Sequence, residues 1–338
     1  MMRICLIAPQ HQEFNTNGMQ TFNATLAQAL QEMGHRVEQL PPFLLDTFSH
    51  SVKEPGRQKI SFDKNSRNYF SLRPYAPQPA QAFHGYDAVI VSGVHFDYGK
   101  ILRAAEGKHA IVWTHGMRVS PLNTWSGEEM RRPGVFYACI NDDHLHQAKI
   151  RGFESNAVAI RLPVPFQPRP VQPARGFCAA VGSLDPVKKY ERIAEIAQCM
   201  RRQTKIFGAA LNQDTKQMVD EAPFLEYCGL VSHQATLDNI AGADFLLHAA
   251  TEEGGPLAVV EAMGLGVPVI VPDTQLYRRF VDVRRNVLLD PNLPVGRQLA
   301  AADLRSLCSI ANRRALAAQT HGRFGLKNFK RQLAEMLK

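Results

Sequence analysis

The 338-residue chain carries 39 Lys and Arg against 31 Asp and Glu, a net charge of +8, and 45% of its residues are hydrophobic. That length holds two ordinary domains with a full core in each, and that apolar content excludes a disordered chain. No apolar run is long enough for a membrane span, and six cysteines without a C-x-x-C pair fit small buried hydrophobes rather than a metal cage or disulfide frame.

The chain opens on Arg3–Pro9, whose apolar core predicts a first strand rather than a signal peptide, since no small-residue cleavage site follows. Further strands are predicted at Arg36–Leu40, Tyr86–Ser92, His109–Thr114, Phe136–Ile140 and Ala157–Leu162. Between them, Gln20–Met33 places Phe22, Leu26, Ala29, Leu30 and Met33 at helical spacing and stops at Gly34, a helix-ending signal. His144–Arg151 is a second helix, with Asn141 or Asp142 as its cap. Residues 45–80 show no clear period. Basic residues Lys53, Arg57, Lys59, Lys64, Arg67 and Arg73 alternate there with Phe62, Tyr69, Phe70 and Tyr75. Five prolines in 163–176 allow neither a helix nor a central strand, so 165–176 reads as a stiff interdomain spacer.

The alternation then restarts. Strands are expected at Phe177–Val181, Lys205–Gly208, Phe224–Cys228, Asp244–Ala250, Pro268–Val271 and Asn286–Leu289. Helices are expected near Lys188–Arg202, His233–Ala241, Pro256–Gly264, Arg297–Ala318 and Phe324–Leu337. Strand and helix in alternation argue for a parallel sheet covered on both faces, twice over.

The chemistry concentrates at Glu253-Gly254-Gly255-Pro256-Leu257, followed by Glu261. A glycine turn opening a helix gathers bare backbone N–H groups and the positive end of the helix dipole, where a phosphate fits. Pro256 is tolerated in a first turn because its missing N–H costs little there. Glu261 lies about 8–12 Å further along the axis. A carboxylate can accept hydrogen bonds from two vicinal hydroxyls, so two acids around an anion site suit a polyol joined to phosphate.

The run E-G-x-P-L-x-x-x-E-A-M-x-x-G-x-P-V-I resembles the donor-site signature of retaining, nucleotide-sugar-dependent glycosyltransferases of the GT-B fold, family-4 type. Other stretches share the resemblance over nearly the whole chain. They are Asn17-Gly18-Met19 before the first helix, Gly34-His35-Arg36-Val37, Trp113-Thr114-His115-Gly116, Val181-Gly182-Ser183 through Lys188, and Phe224 to Ser232. It implies an α/β GT-B fold of two Rossmann-like domains with a cleft between them. The N-terminal, acceptor-binding domain would be 1–164, the linker 165–176 and the nucleotide-sugar domain 177–322. A C-terminal helix in 323–338 would pack back on the first domain.

By the same resemblance Glu253 holds donor-sugar hydroxyls and Glu261 the ribose diol. Gly18, Gly254, Gly255 and Leu257 offer backbone to sugar or phosphate. Lys188 neutralises the leaving diphosphate, and His115 orients the sugar or passes a proton. One departure stands out: Ser183 occupies the place of the family's usual Arg, removing one of two cations at the diphosphate. The implied reaction retains anomeric configuration and needs neither metal nor cofactor beyond the nucleotide-diphosphate sugar itself.

The acceptor is weakly encoded. A glycan or glycolipid at an anionic membrane surface is the leading expectation, in polysaccharide, lipopolysaccharide or glycolipid synthesis, with the protein cytoplasmic or peripheral on the inner membrane face. DNA, as for phage base glucosyltransferases, is the alternative that basic residues interleaved with aromatics support. Arg118 and the Trp113–Trp125 stretch would then belong to a groove, and His95 could line the cleft. A non-catalytic GT-B-like binding subunit is a third reading, kept open by Ser183.

Overall fold

A computed structural model describes residues 1–8, 18–40, 83–93, 98–115 and 131–338. The chain divides into two compact units, one running to Leu162 and taking in Lys327–Lys338, the other spanning Pro163–Leu326.

In unit 1 the described elements are β1 (Arg3–Ile7), α1 (Gly18–Glu32), β2 (Arg36–Leu40), β3 (Ala88–Ser92), α2 (Tyr98–Ala104), β4 (His109–Thr114), β5 (Val135–Cys139), α3 (Asp142–Ile150) and β6 (Ala157–Ala159). The six strands pair in parallel in the order β2-β1-β3-β4-β5-β6. Every residue of β3, Ala-Val-Ile-Val-Ser, is buried, as expected of an inner strand covered on both faces. The outermost strand β2, Arg-Val-Glu-Gln-Leu, instead has no fully buried residue and starts on an exposed Arg36. Helix α1 buries Phe22, Leu26, Ala29 and Leu30 and ends before Gly34, whose φ of +88° suits a residue without a Cβ. Asn141 caps α3 by accepting from the His144 N–H at 2.8 Å, the capping role the sequence suggested.

The last helix, α12 (Leu326–Met336), completes this unit's core. Phe329 sits with its ring 6.0 Å from both Phe22 and Trp113. His109 Nε2 lies 2.6 Å from the Met336 carbonyl. Phe329, Leu333 and Met336 are all buried, each contributing on the order of 2 kcal/mol of apolar burial.

Unit 2 holds β7 (Cys178–Val181), α4 (Tyr190–Met200), β8 (Thr204–Phe207), α5 (Gln213–Glu221), β9 (Leu225–Gly229), α6 (His233–Ala241), β10 (Leu246–Leu247), α7 (Leu257–Gly264), β11 (Val269–Pro272), α8 (Gln275–Phe280), β12 (Val287–Leu289), α9 (Val295–Ala300), α10 (Leu304–Leu307) and α11 (Ile310–Phe324). Its parallel sheet runs β12-β11-β10-β7-β8-β9. That is the doubly wound Rossmann order, with the direction of winding reversing between β7 and β10.

The proline-rich stretch is not a free spacer. Val164 N donates to the Phe324 carbonyl at 2.8 Å and Arg175 N to the Gly242 carbonyl at 3.0 Å. Val164 and Phe166 press against Gly264, leaving no room there for a side chain. The helix expected over Arg297–Ala318 is broken into α9, α10 and α11. Asp303 and Ser309 each accept a backbone N–H three residues on and so start a new helix. The helix expected from Lys188 begins at Tyr190, because Lys189 takes a left-handed conformation with φ of 53°. Helices α2, α5 and α8 were not anticipated; the last two start at Asn212 and Thr274 caps.

Two substitutions test this account by urea denaturation. Gly266 has φ of +77°, and an added Cβ would stand 2.5 Å from the Arg313 carbonyl. Gly266→Ala is expected to cost about 2 kcal/mol. Ser309→Ala, which removes the α11 cap, should cost about 1 kcal/mol.

Candidate functional site

Ligands of doubly wound sheets bind at the carboxyl ends of the strands, where the strand order reverses. In unit 2 that point lies between β7 and β10, and the loops leaving these strands carry the predicted residues. After β7 come Gly182, Ser183 and a short 3₁₀ turn, Pro186–Lys188. Asp185 caps the turn by accepting from Val187 N at 3.0 Å. Tyr190 Oη donates to the Gly182 carbonyl at 2.8 Å and pins the loop's start. The left-handed Lys189 then redirects the chain into α4, and its Nζ donates to Thr251 Oγ1 at 2.9 Å. Non-glycine residues in this conformation cost about 1–2 kcal/mol and cluster at functional sites.

After β10 come His248, Thr251, Glu253, Gly254 and Gly255. Lys188 Nζ forms an ion pair with Glu253 Oε1. His248 Nε2 stands 3.4 Å from the same oxygen. His248 is itself buried, edge-on to Tyr277 with ring centroids 5.8 Å apart. Tyr277 Oη donates to the Ala250 carbonyl at 2.8 Å. Burial alone would raise the Glu253 carboxyl, but His248 and Lys188 more than offset it and hold it at about 2. The structure therefore joins Lys188 and Glu253, two residues the sequence singled out, and adds His248, which it did not. His248 was concealed as one polar residue in an apolar run.

Helix α7 starts at Leu257, with Pro256 before it and no side-chain cap on its first turn. The Leu257 N–H, expected to face sugar or phosphate, donates instead to the Gly255 carbonyl at 2.9 Å. Glu261 lies on α7, only 4% exposed, and His233 Nε2 at the start of α6 is 2.7 Å from its Oε1. A buried acid on the helix leaving the glycine turn, held by a half-buried histidine, is not a solvated helix-face glutamate. Ser183 is half-buried between Gly182 and Leu184 and brings no charge.

In unit 1, His115 follows the end of β4 and is 8% exposed. Its Nε2 lies 2.8 Å from Ser92 Oγ at the end of β3. Ser92 Oγ donates to Asn23 Oδ1, and Asn23 Nδ2 donates back to the Ser92 carbonyl at 3.3 Å. Next to it, His144 Nδ1 is 2.7 Å from Thr114 Oγ1, which donates to the Ala138 carbonyl at 3.0 Å. Burial, with His144 as a like-charged neighbour, pushes the His115 imidazole down to about 3, so it is neutral in ordinary buffers. Gly18 opens α1 and is exposed. Asn17, His95, Gly116, Arg118, Trp125 and residues 51–80 lie outside the described residues.

No protein family matches the sequence, and no curated protein does. Solved structures match nearly the whole chain. Anabaena HepE, solved with UDP and glucose, superposes with a TM-score of 0.70 at 15% identity, over 100% of this chain and 99% of its own. The pneumococcal O-GlcNAc transferase GtfA, solved with UDP and GlcNAc, gives 0.68 at 12% identity, over 99% and 98%. TarM gives 0.72 at 9% identity, over 100% and 99%. The chain has the α/β GT-B fold, built of two six-stranded Rossmann-like units.

The Glu253 environment sets an acid limb of stability. Its carboxyl drops from an ordinary 4.5 to about 2 on folding. Its stabilising contribution is complete above about 4.5 and disappears as pH falls towards about 2. Urea midpoints of the wild-type chain are expected to fall across that window, and Glu253→Gln should remove this share of the fall.

Proposed function

We propose that the chain is a retaining glycosyltransferase that moves a sugar from a nucleotide-diphosphate donor to an acceptor hydroxyl, without a metal. The single observation that carries this reading is the Lys188–Glu253–His248 cluster at the β7/β10 strand-order reversal, beside the Gly254-Gly255 turn. A cation and an oriented carboxylate within hydrogen-bonding reach of each other suit the two halves of a sugar diphosphate. Ammonium meets phosphate oxygens and carboxylate meets sugar hydroxyls.

In the reaction, the bond from the anomeric carbon to the phosphate oxygen breaks and a bond to the acceptor oxygen forms. Retention follows when the acceptor hydroxyl attacks from the face the diphosphate leaves, and a phosphate oxygen takes the acceptor proton. Lys188 stabilises charge growing on that phosphate. Glu253 fixes the sugar, its charge maintained by His248 and Lys188. Glu261, steadied by His233, keeps its second oxygen for the ribose diol. His115 orients a substrate hydroxyl. With Ser183 in place of a cation, Lys188 carries most of the electrostatic stabilisation on this loop, and the Gly18 and Gly255 backbones supply the rest. Catalysis of this kind is positioning plus charge stabilisation.

UDP-sugars are the first donors to examine, because HepE and GtfA were solved with UDP. For the acceptor, a glycan or glycolipid is favoured over DNA by the fold likeness to the lipopolysaccharide outer core galactosyltransferase WaaB, with a TM-score of 0.60. Among the described residues no helix is long and apolar enough to cross a membrane.

A thermal-shift panel of UDP, GDP, ADP, CMP and dTDP sugars tests the donor. The matching donor at one hundred times its Kd should stabilise the fold by about 2.7 kcal/mol. Glu253→Ala should lower donor hydrolysis or transfer by about 100-fold or more, and Glu261→Ala should mainly weaken nucleotide binding. A panel without any shift at millimolar ligand would overturn the reading.

A further inference from the structure

The proton positions around His115 can be deduced from its partners. A carbonyl oxygen can only accept, so the Asn23 amide must turn its Nδ2 towards the Ser92 carbonyl, 3.3 Å away. That orientation directs Oδ1 at Ser92 Oγ. An amide oxygen also only accepts, so the one hydroxyl proton of Ser92 goes to Asn23. Ser92 Oγ is left with lone pairs towards His115, and the 2.8 Å contact requires a proton on His115 Nε2. A neutral imidazole carries a single N–H, so Nδ1 is bare. No described residue supplies Nδ1 with a partner.

We propose that Asn23 and Ser92 are positioning residues that lock His115 as its Nε2–H tautomer, so that Nδ1 serves as a hydrogen-bond acceptor for a substrate hydroxyl. The tautomer half stands on unit 1 alone, while the hydroxyl half rests on the transferase reading. The arrangement gives His115 a defined role. It cannot donate a proton through Nδ1, and it can fix a hydroxyl by accepting its hydrogen. All three groups come from the region where unit 1 reverses its own strand order, between β1 and β3. Asn23 is on the helix after β1, Ser92 ends β3, and His115 follows neighbouring β4. Among the described residues, the other titratable group facing this corner is His144, reached through Thr114.

The test is nitrogen NMR of the full chain labelled with ¹⁵N-histidine, with the His115 resonances assigned by their loss in His115→Gln. The wild-type ring should show a bare Nδ1 and a protonated Nε2 throughout about pH 6 to 8. Asn23→Leu keeps the volume but frees the Ser92 proton, which can then turn to Nε2, so the tautomer should invert to Nδ1–H. Ser92→Ala removes the partner and should give a mixture. Each variant should lower turnover by about tenfold, the worth of one oriented hydrogen bond, with a smaller change in donor KM. Ser92→Thr, which keeps the hydroxyl, should restore both tautomer and rate.

A wild-type ring protonated at Nδ1, or an unchanged tautomer in folded Asn23→Leu and Ser92→Ala, would overturn the proposal. Should one of these variants not fold, the other and the wild-type spectrum decide. The expected tautomers without any donor binding would uphold the lock and reject the transferase reading, so the two failures are distinguishable.

Discussion

The reversal of strand order in each sheet is the constraint on which both sites depend. In a parallel sheet the loops at the strand ends normally follow the helices over one face. Where the order reverses, adjacent strands send their chains to opposite faces, and the ends between them stay uncovered. In unit 2 these strands are β7 and β10. Their loops bring Lys188 to Glu253 over 65 residues of sequence. Glycine makes the close approach possible. A Cβ on Gly208 would stand 2.0 Å from the Gly182 carbonyl, so the tips of β7 and β8 pack backbone against backbone. The same geometry in unit 1 assembles Asn23, Ser92 and His115 from three separate elements.

Within unit 2, the electrostatics show why the acid is held so firmly. Burying a carboxylate is costly, and a buried ion pair often contributes little net stability. Glu253 nonetheless sits against a lysine and a histidine, with its carboxyl well below the ordinary range. That arrangement keeps a charged acid in a partly dry place, which suits recognition of hydroxyls better than it suits folding. The cations nearby are not interchangeable. Lys189 is committed to Thr251, and Arg192 to Glu195 and the Leu293 carbonyl. Lys188 is thus the cation already at the acid.

Much of this was legible in the sequence because it depends on short-range rules. Apolar runs gave the inner strands, Gly34 the end of α1, and the Gly-Gly-Pro turn between two acids the start of α7. The misses share a cause in local contacts and turns that redirect the backbone. Asp303 and Ser309 cut one long helical pattern into three, although neither residue breaks a helix by propensity alone. Lys189 delayed the start of α4 through a left-handed turn that no lysine advertises. The Leu257 amide turns to the Gly255 carbonyl, a local backbone contact that the glycine spacing does not announce. His248 and His233 were invisible for a different reason. Their partners, Glu253 and Glu261, are defined only by tertiary placement, and a single histidine in an apolar run or at a helix start carries no periodic signal.

The two units treat their polar groups in opposite ways, and this difference bears on chemistry. Unit 2 gathers opposite charges, setting the Lys188 ammonium against the Glu253 carboxylate with His248 beside it. At its own strand-order reversal, unit 1 instead holds a neutral group: His115 is buried and bonded to a serine that is itself fixed by an asparagine. A neutral ring with a set tautomer gives a hydrogen bond direction without adding field. Burial of His115 is therefore part of its chemistry as well as of its packing, and the Asn23–Ser92 pair supplies the hydrogen bond that burial would otherwise leave unmet.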